Sequence, residues 1–218
     1  MLKITGLTLK TEETLLCSTD CVLKDGKIYG LSAINGAGKT TFLRTVAGIR
    51  YEKEGKSEIL IEGNVLNVGN EKKHVFYFET SEWFDTNLSG KDYLAFISSM
   101  WHKKPIKADI DSVISYWDLS DFIHKPIRKY SLGMKQKVLL ALYAVSNADC
   151  WLMDEPTIGL DAKSCEKFQD YLRLARARGK TILFSSHQND SLYNLCDDIY
   201  EITNKSLVLV ENSREKAR

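Results

Sequence analysis

The chain has 218 residues, a formal net charge of +1, 44% hydrophobic residues and 27% charged residues. This near-neutral balance argues against nucleic acid or an anionic membrane surface as the main partner. The longest uninterrupted apolar run, residues 138–145, is far shorter than the roughly 20 residues of a membrane-spanning helix. Five scattered cysteines favour free thiols, and the N-terminus lacks the apolar core of a signal peptide. We therefore expect a cytosolic protein.

The first part of the chain carries mostly strand signals. Residues 2–31 alternate apolar and polar side chains, which is typical of β-strands, and Asp25-Gly26 is a strong hairpin-turn signal. Residues 58–64 predict another strand with a turn, and residues 74–78 predict a buried strand. These segments indicate a β-rich region arranged around one loop and one helix.

That loop is a stretch of small residues ending in Lys-Thr, placed between a predicted strand and a predicted helix. Glycines allow backbone N–H groups to surround phosphate oxygens, and the helix N-terminus adds partial positive charge. Lys39 would reach the β- and γ-phosphates, and the Thr40 hydroxyl would bind Mg²⁺. The alternative is a glycine-rich turn before an ordinary helix, but the flanking elements favour a nucleotide. The candidate phosphate-binding residues are Ala33, Ile34, Asn35, Gly36, Ala37, Gly38, Lys39, Thr40 and Thr41.

The first position of this loop departs from the expected motif, which begins with glycine where this chain has Ala33. If the backbone there requires a positive φ, alanine costs roughly 1 kcal/mol. If the position requires only a small residue at a strand end, alanine is harmless. The sequence leaves both possibilities open.

The middle of the chain changes character and predicts a helical insert at about residues 85–146. Residues 89–130 show helical apolar periodicity, and residues 132–146 are apolar on almost every side, as in a buried helix. Most of the aromatic residues of this region are expected in a core. Trp83 and Phe84 lie in the preceding loop, and we expect both to be accessible to a partner protein.

The remaining chain follows a βαβ pattern with two acids at the end of a strand. Residues 150–153 predict an apolar strand, followed directly by Asp154 and Glu155. Ligands of open α/β sheets bind at this edge, so Asp154 is suited to support Mg²⁺ and Glu155 to act as a general base. The alternative, a solvated strand end, is disfavoured by Pro156-Thr157 and the segment 159–161 that follow.

Two further positions have the chemistry of phosphate contacts. Ser131 and Gly133 begin a helix, where a hydroxyl, a free N–H and the helix dipole favour an anion, although Ser131 alone would be read as an N-cap. His187 follows a buried strand and two serines, where it can contact a γ-phosphate.

Taken together, this ordered series of motifs resembles the nucleotide-binding subunit of an ATP-binding cassette (ABC) transporter. The resemblance covers essentially the whole chain, because the five motifs occur in order at 35–41, 131–136, 151–157, 159–161 and 185–187. It implies an α/β fold, with a P-loop NTPase core, an N-terminal antiparallel β subdomain and a helical subdomain. It also implies ATP and Mg²⁺ as cofactors.

The resemblance further assigns roles to individual residues. It implies that Ser131 and Gly133 contact the ATP held by a partner subunit, and that Asp161 lies in the subunit-contact loop. Glu155 becomes the catalytic carboxylate and His187 the γ-phosphate switch. Lys39 joins them as a catalytic residue because it contacts the transferred phosphate.

Besides Ala33, two further features differ from the family pattern. The family usually has a glutamine that touches Mg²⁺ after the strand at 74–78, where this chain offers Thr80 as a shorter metal ligand. Family members also usually stack adenine on an aromatic residue within the region 8–20, which contains none in this sequence. Leu15 or Leu16 would give apolar contact only, which predicts weak selectivity for the base.

The resemblance implies that the protein hydrolyses ATP in a head-to-tail homodimer or heterodimer and drives a separate integral-membrane permease. The signature segment 131–136 is most similar to those of exporters. Such a subunit would lie at the cytoplasmic face of the membrane and would not bind nucleic acid. The alternative function is a soluble cassette ATPase in translation or DNA repair, which the single cassette and the absence of basic excess disfavour. A module that binds ATP without hydrolysing it is disfavoured by Glu155 and His187.

Overall fold

The computed structural model describes residues 1–49, 58–61, 63–65, 74–102, 107–186 and 191–211. The chain divides into two compact units. The first unit comprises Met1–Tyr77, Asp149–Glu155 and Gln169–Arg218, and the second comprises Phe78–Ala148 and Pro156–Phe168. The bounds of 85–146 for a helical subdomain stay a prediction. No helix in the described ranges combines the length and apolarity needed to cross a membrane.

Strands dominate the two ends of the described chain, and helices dominate its middle. The strands are β1 (Leu2–Lys10), β2 (Thr14–Leu23), β3 (Ile28–Ser32), β4 (Glu58–Ile61), β5 (Asn64–Val65), β6 (Val75–Tyr77), β7 (Cys150–Met153), β8 (Thr181–Ser186), β9 (Asp198–Thr203) and β10 (Ser206–Glu211). The α-helices are α1 (Lys39–Val46), α2 (Gly90–Trp101), α3 (Lys107–Tyr116), α4 (Leu132–Ser146) and α5 (Ala162–Ala177).

An antiparallel sheet forms one layer of the first unit, in the strand order β2-β1-β4-β5. Burial in β1 alternates at its start, as the apolar pattern predicts for a strand with one face in the core. A register shift between Ile4 and Leu7 coincides with Gly6, whose φ of +61° suits a β-bulge. The predicted N-terminal antiparallel β region is thus confirmed.

The second sheet of the first unit is mixed and has the order β10-β9-β3-β8-β7-β6. Its strands pair in parallel except for the β9–β10 hairpin. Strands β3, β7 and β8 are buried along their whole length, which explains their continuous apolar sequences. Because parallel strands end at one edge, the segments that follow β3, β7 and β8 start at the same edge of this sheet.

The predicted hairpin at Asp25-Gly26 is wrong. Gly26 has a φ of +67° and forms a turn, but β2 and β3 on either side belong to different sheets. The N-terminal hairpin instead joins β1 to β2, with the Thr11 N–H bonded to the Glu13 carbonyl at 2.9 Å. An Asp-Gly pair therefore indicates where the chain turns, and not whether the flanking strands pair.

An apolar cluster lies between the two sheets and α1. It includes side chains from both sheets together with Phe42, Leu43 and Val46 of α1. Tyr200 of β9 also ties the layers together, because its hydroxyl donates to the Val22 carbonyl at 2.9 Å and accepts from the Val22 N–H at 3.1 Å. The loop before α1 is therefore attached to a helix that packs in this core.

The second unit is helical, with α2 and α3 packed on α4. Nine residues of α4 are buried, as expected for a helix that is apolar on nearly all sides. Ser89 and Asp92 form a capping box that begins α2.

The expectation that both loop aromatics are accessible is half wrong. Trp83 is 45% exposed, but Phe84 is only 4% exposed. The Phe84 ring packs against the rings of Tyr93 and Phe78, with centroid distances of 4.7 and 5.1 Å. Position in a loop does not report burial, because a loop residue can supply a core ring to the helix it precedes.

Candidate nucleotide-binding site

The loop between β3 and α1 has a backbone conformation that suits binding of an anion. Gly36 and Gly38 have φ values of +80° and +103°, which glycine adopts without strain. Gly38 caps α1 without any side-chain hydrogen bond, and no acidic residue lies in the first turn. The N-terminal amides of α1 are therefore directed at the loop, where they can bind an anion.

Ala33 and Lys39 are held together at the base of this loop. Ala33 is 2% exposed and does not belong to the described residues with positive φ, so alanine at this position is unstrained. Lys39 is 7% exposed, and its Nζ donates to the Ala33 carbonyl at 3.0 Å. A buried ammonium needs such a partner, and its position within the loop suits contact with phosphate oxygens.

The two acids after β7 lie beside the start of α1. Thr40 Oγ1 donates to Asp154 Oδ2 at 2.5 Å, although the two residues are 114 positions apart. The structure thus brings together the predicted metal residues of the first unit. Hydroxyl and carboxylate oxygens are the hard ligands that Mg²⁺ prefers, so this pair fits the ion.

Ser185 completes the arrangement around the acids, a role that the sequence did not predict. Its hydroxyl donates to Asp154 Oδ1 and accepts from the Glu155 N–H at 2.9 Å. Glu155 itself has a φ of +45°, a rare conformation for a residue with a side chain. The pair of serines before His187 was the only sequence signal for this contact.

Ser131 and Gly133 lie at the start of α4 in the second unit. The Ser131 hydroxyl accepts the Met134 N–H at 3.2 Å, so Ser131 is the helix N-cap. A Cβ on Gly133 would lie 2.7 Å from the Gly159 carbonyl oxygen, so glycine is required for this packing. Gln136, 5% exposed, donates to the Pro156 carbonyl at 2.8 Å and fixes the same loop to α4. The predicted contacts with a partner's ATP stay predictions.

Asp161 and Thr80 both cap helices in the second unit. Asp161 Oδ1 accepts the Ser164 N–H at 2.7 Å at the start of α5, and hydrogen bonds from Ser164 hold the pKa of this carboxyl below its ordinary value. Thr80 Oγ1 accepts the Glu82 N–H at 3.3 Å in a short 3₁₀-helix, Ser81–Trp83. Their predicted roles in subunit contact and metal binding stay predictions.

Of the remaining candidates, one lies outside the described residues and one is excluded by burial. His187 falls in the gap 187–190, so its role stays a prediction. Leu16 is fully buried and cannot contact a base, whereas Leu15 is half-buried. Leu15 packs against the phosphate loop, since a Cβ on Gly38 would lie 3.1 Å from Leu15 Cδ1.

The class of protein follows from three features: a glycine loop between strand and helix, a Lys-Thr pair, and two acids directly after a parallel strand. Together they define a P-loop nucleotide-binding protein. Residues 17–158 match the family described as ABC transporter. The chain is 32% identical over 203 residues to the putative ABC transporter ATP-binding protein AlbC of Bacillus subtilis (strain 168), spanning 90% of this chain and 84% of that protein. The chain belongs to the ABC transporter family and is an ATP-binding subunit of that class.

Two other likenesses agree with this assignment. The chain is 26% identical to the cytochrome c biogenesis ATP-binding export protein CcmA of Reclinomonas americana, over 96% of this chain and 93% of that protein. A solved structure of the ATP-binding subunit of an ABC transporter superposes with a TM-score of 0.85 at 21% identity, over 97% of this chain and 90% of that chain. This likeness shows the fold. Members of the family bind ATP, generally with Mg²⁺.

Proposed function

We propose that this chain hydrolyses ATP and powers export through a separate integral-membrane permease. The observation that carries the proposal is the contact of Thr40 with Asp154, since Glu155 follows Asp154 directly at the end of β7. Binding alone needs only the loop and Lys39. A carboxylate on a residue with strained backbone, next to the candidate metal-binding acid, supports hydrolysis.

In the proposed mechanism, the chain holds the triphosphate and directs a water at it. The α1 amides and Lys39 bind the phosphate oxygens and offset their charge. Glu155 orients the attacking water and accepts its proton. Thr40 and Asp154 would hold Mg²⁺, which neutralises charge on the phosphate oxygens when bound.

The proposed catalytic unit is a head-to-tail pair of nucleotide-binding subunits, in a homodimer or a heterodimer. Ser131 and Gly133 begin α4, a helix of 15 residues, and would contact the γ-phosphate of the ATP held by the partner. Asp161 would lie at the subunit contact, and His187 would sense the γ-phosphate. Each subunit would thus supply part of each site.

The proposed permease and the proposed direction of transport draw on the comparisons. One relative is named an export protein. The signature segment 131–136 is also most similar to those of exporters. Trp83, 45% exposed, offers an aromatic anchor for a permease segment, since such residues commonly dominate interfaces. The subunit would then work at the cytoplasmic face of the membrane, without nucleic acid.

Purification of the tagged chain from its own cells tests this proposal. After mild detergent solubilisation, we expect mass spectrometry to find an integral membrane protein with several spans in amounts comparable to the bait. An untagged strain processed in parallel is the control. Recovery of ribosomal or DNA-repair proteins, with no membrane protein above the control, would instead favour a soluble cassette ATPase.

A further inference from the structure

We propose that Ser185 is a positioning residue that sets the orientation of both acids at the candidate catalytic centre. This inference rests on the proposed hydrolysis of ATP at that centre. Ser185 lies on β8, is fully buried, and lies two positions before the gap 187–190. It contacts neither phosphate nor metal in the proposed mechanism, so its effect would act through Asp154 and Glu155.

The geometry uses both hydrogen-bonding capacities of one hydroxyl. Strands β7 and β8 pair in parallel with Met153 opposite Phe184, which places Ser185 beside the acids that follow β7. The Ser185 O–H donates to Asp154 Oδ1, and its oxygen accepts the Glu155 N–H at 2.9 Å. An alanine has neither capacity, and a thiol offers only a weak version of both.

The bond to the Glu155 N–H supports a strained backbone. A φ of +45° lies in the left-handed region, which is unfavourable for a residue with a side chain. Such a conformation persists only where the surroundings fix it. Because the Ser185 oxygen holds the Glu155 N–H, it helps to fix the direction in which the Glu155 side chain leaves the strand.

The hydrogen bond from Ser185 to Asp154 restricts the orientation of the Asp154 carboxylate. Thr40 Oγ1 contacts Oδ2 of the Asp154 carboxylate, while Ser185 contacts Oδ1. With both oxygens bonded, the carboxylate cannot rotate freely about its terminal bond. The oxygen that faces Thr40 is then presented in one orientation for the metal.

The test compares Ser185→Ala and the nearly isosteric Ser185→Cys with a matched control on the same strand. The control is Thr181→Val, which removes a hydroxyl that is also buried but contacts the Lys24 carbonyl at the far end of β8. We expect both Ser185 variants to lower kcat for ATP by about 10- to 100-fold, the range of a misplaced catalytic group. KM measured with Mg²⁺ should rise only by the share of ATP affinity that Mg²⁺ supplies, because the phosphate loop is unchanged, and Thr181→Val should keep both constants.

A second readout is the gain in ATP affinity on adding Mg²⁺, measured by titration. A loss of this gain in the Ser185 variants but not in Thr181→Val would support the inference. A kcat and a Mg²⁺-dependent gain equal to those of Thr181→Val would overturn it. If the wild-type chain shows no hydrolysis, the proposed function fails on its own, and the Mg²⁺ titration alone decides the role of Ser185. Because Ser185→Cys conserves volume, it keeps the test valid if the alanine variant does not fold.

Discussion

At the residue scale, Trp83 and Phe84 are neighbours in sequence with opposite environments. Phe84 is 4% exposed and belongs to a ring cluster with Phe78 and Tyr93, whereas Trp83 is 45% exposed. Trp83 also contacts this cluster by one edge, at a centroid distance of 5.7 Å from Phe78. The two rings should therefore make different contributions to stability and to docking.

The alanine variants of these two residues separate the contributions. Phe84→Ala should lower the free energy of unfolding by about 3 kcal/mol, because it leaves a cavity in the ring cluster. Trp83→Ala should lower it by about 1 kcal/mol or less and should reduce recovery of the permease with the tagged chain. Urea denaturation of the isolated chain measures the first effect. Equal losses of stability would show that Trp83 is also a core residue.

Some residues of the candidate site could be predicted from the sequence, and others could not. Lys39, Thr40, Asp154 and Glu155 could be found because their chemistry and spacing are unusual in any protein. The contact of Ser185 with the two acids could not be found, because a serine at a strand end has many possible partners. Only the pairing register of β7 and β8 selects these partners.

At the element scale, α2 begins with a capping box that makes its stability depend on pH. The Asp92 carboxylate accepts from the Ser89 N–H at 2.8 Å, and the Ser89 hydroxyl accepts from the Asp92 N–H at 3.2 Å. Hydrogen bonds from the Ser89 side chain and backbone lower the pKa of Asp92 from 3.8. The folded state thus favours the ionised carboxylate. This contribution to stability is present above pH 3.8 and is lost as the pH falls through the lowered pKa.

The matched variants Asp92→Asn and Asp111→Asn test this dependence. Asp111 is an exposed residue of α3 and serves as the control. Near pH 7, Asp92→Asn should lower the midpoint of thermal unfolding, because the box loses its charged acceptor. As the pH falls below 3.8 and through the lowered pKa of Asp92, its midpoint should approach that of the wild type. A difference from wild type that stays constant between these pH values would show that the Asp92 charge has no role in the cap.

The strands and helices with long apolar runs were the easiest to predict from the sequence. The buried strands β7 and β8 and the helix α4 follow directly from apolar runs that end at polar or turn residues. The sheet membership of β2 and β3 did not follow from the turn between them, because pairing is decided by tertiary packing. Local sequence signals therefore predicted where these strands and helices lie along the chain, but not which strands pair.

At the scale of the whole molecule, the order of the motifs carried more information than any one of them. Each motif is weak alone: Ser131, for example, is the N-cap of α4, a role that serine has in many helices. Their fixed order predicted both the α/β fold and the family, and both are confirmed. The division into two units was harder to predict, because the chain crosses between them four times and one crossing falls within α5, between residues 168 and 169.

We propose above that ATP is hydrolysed at the centre formed by Thr40, Asp154 and Glu155. The most direct test is ATP turnover by Glu155→Gln, with Glu201→Gln of β9 as a control acid in the same unit. We predict that Glu155→Gln binds ATP with the affinity of the wild type but turns it over at least ~100-fold more slowly, because an amide cannot accept the proton of water. The control should match the wild type. Turnover by Glu155→Gln close to that of the wild type would contradict the claim.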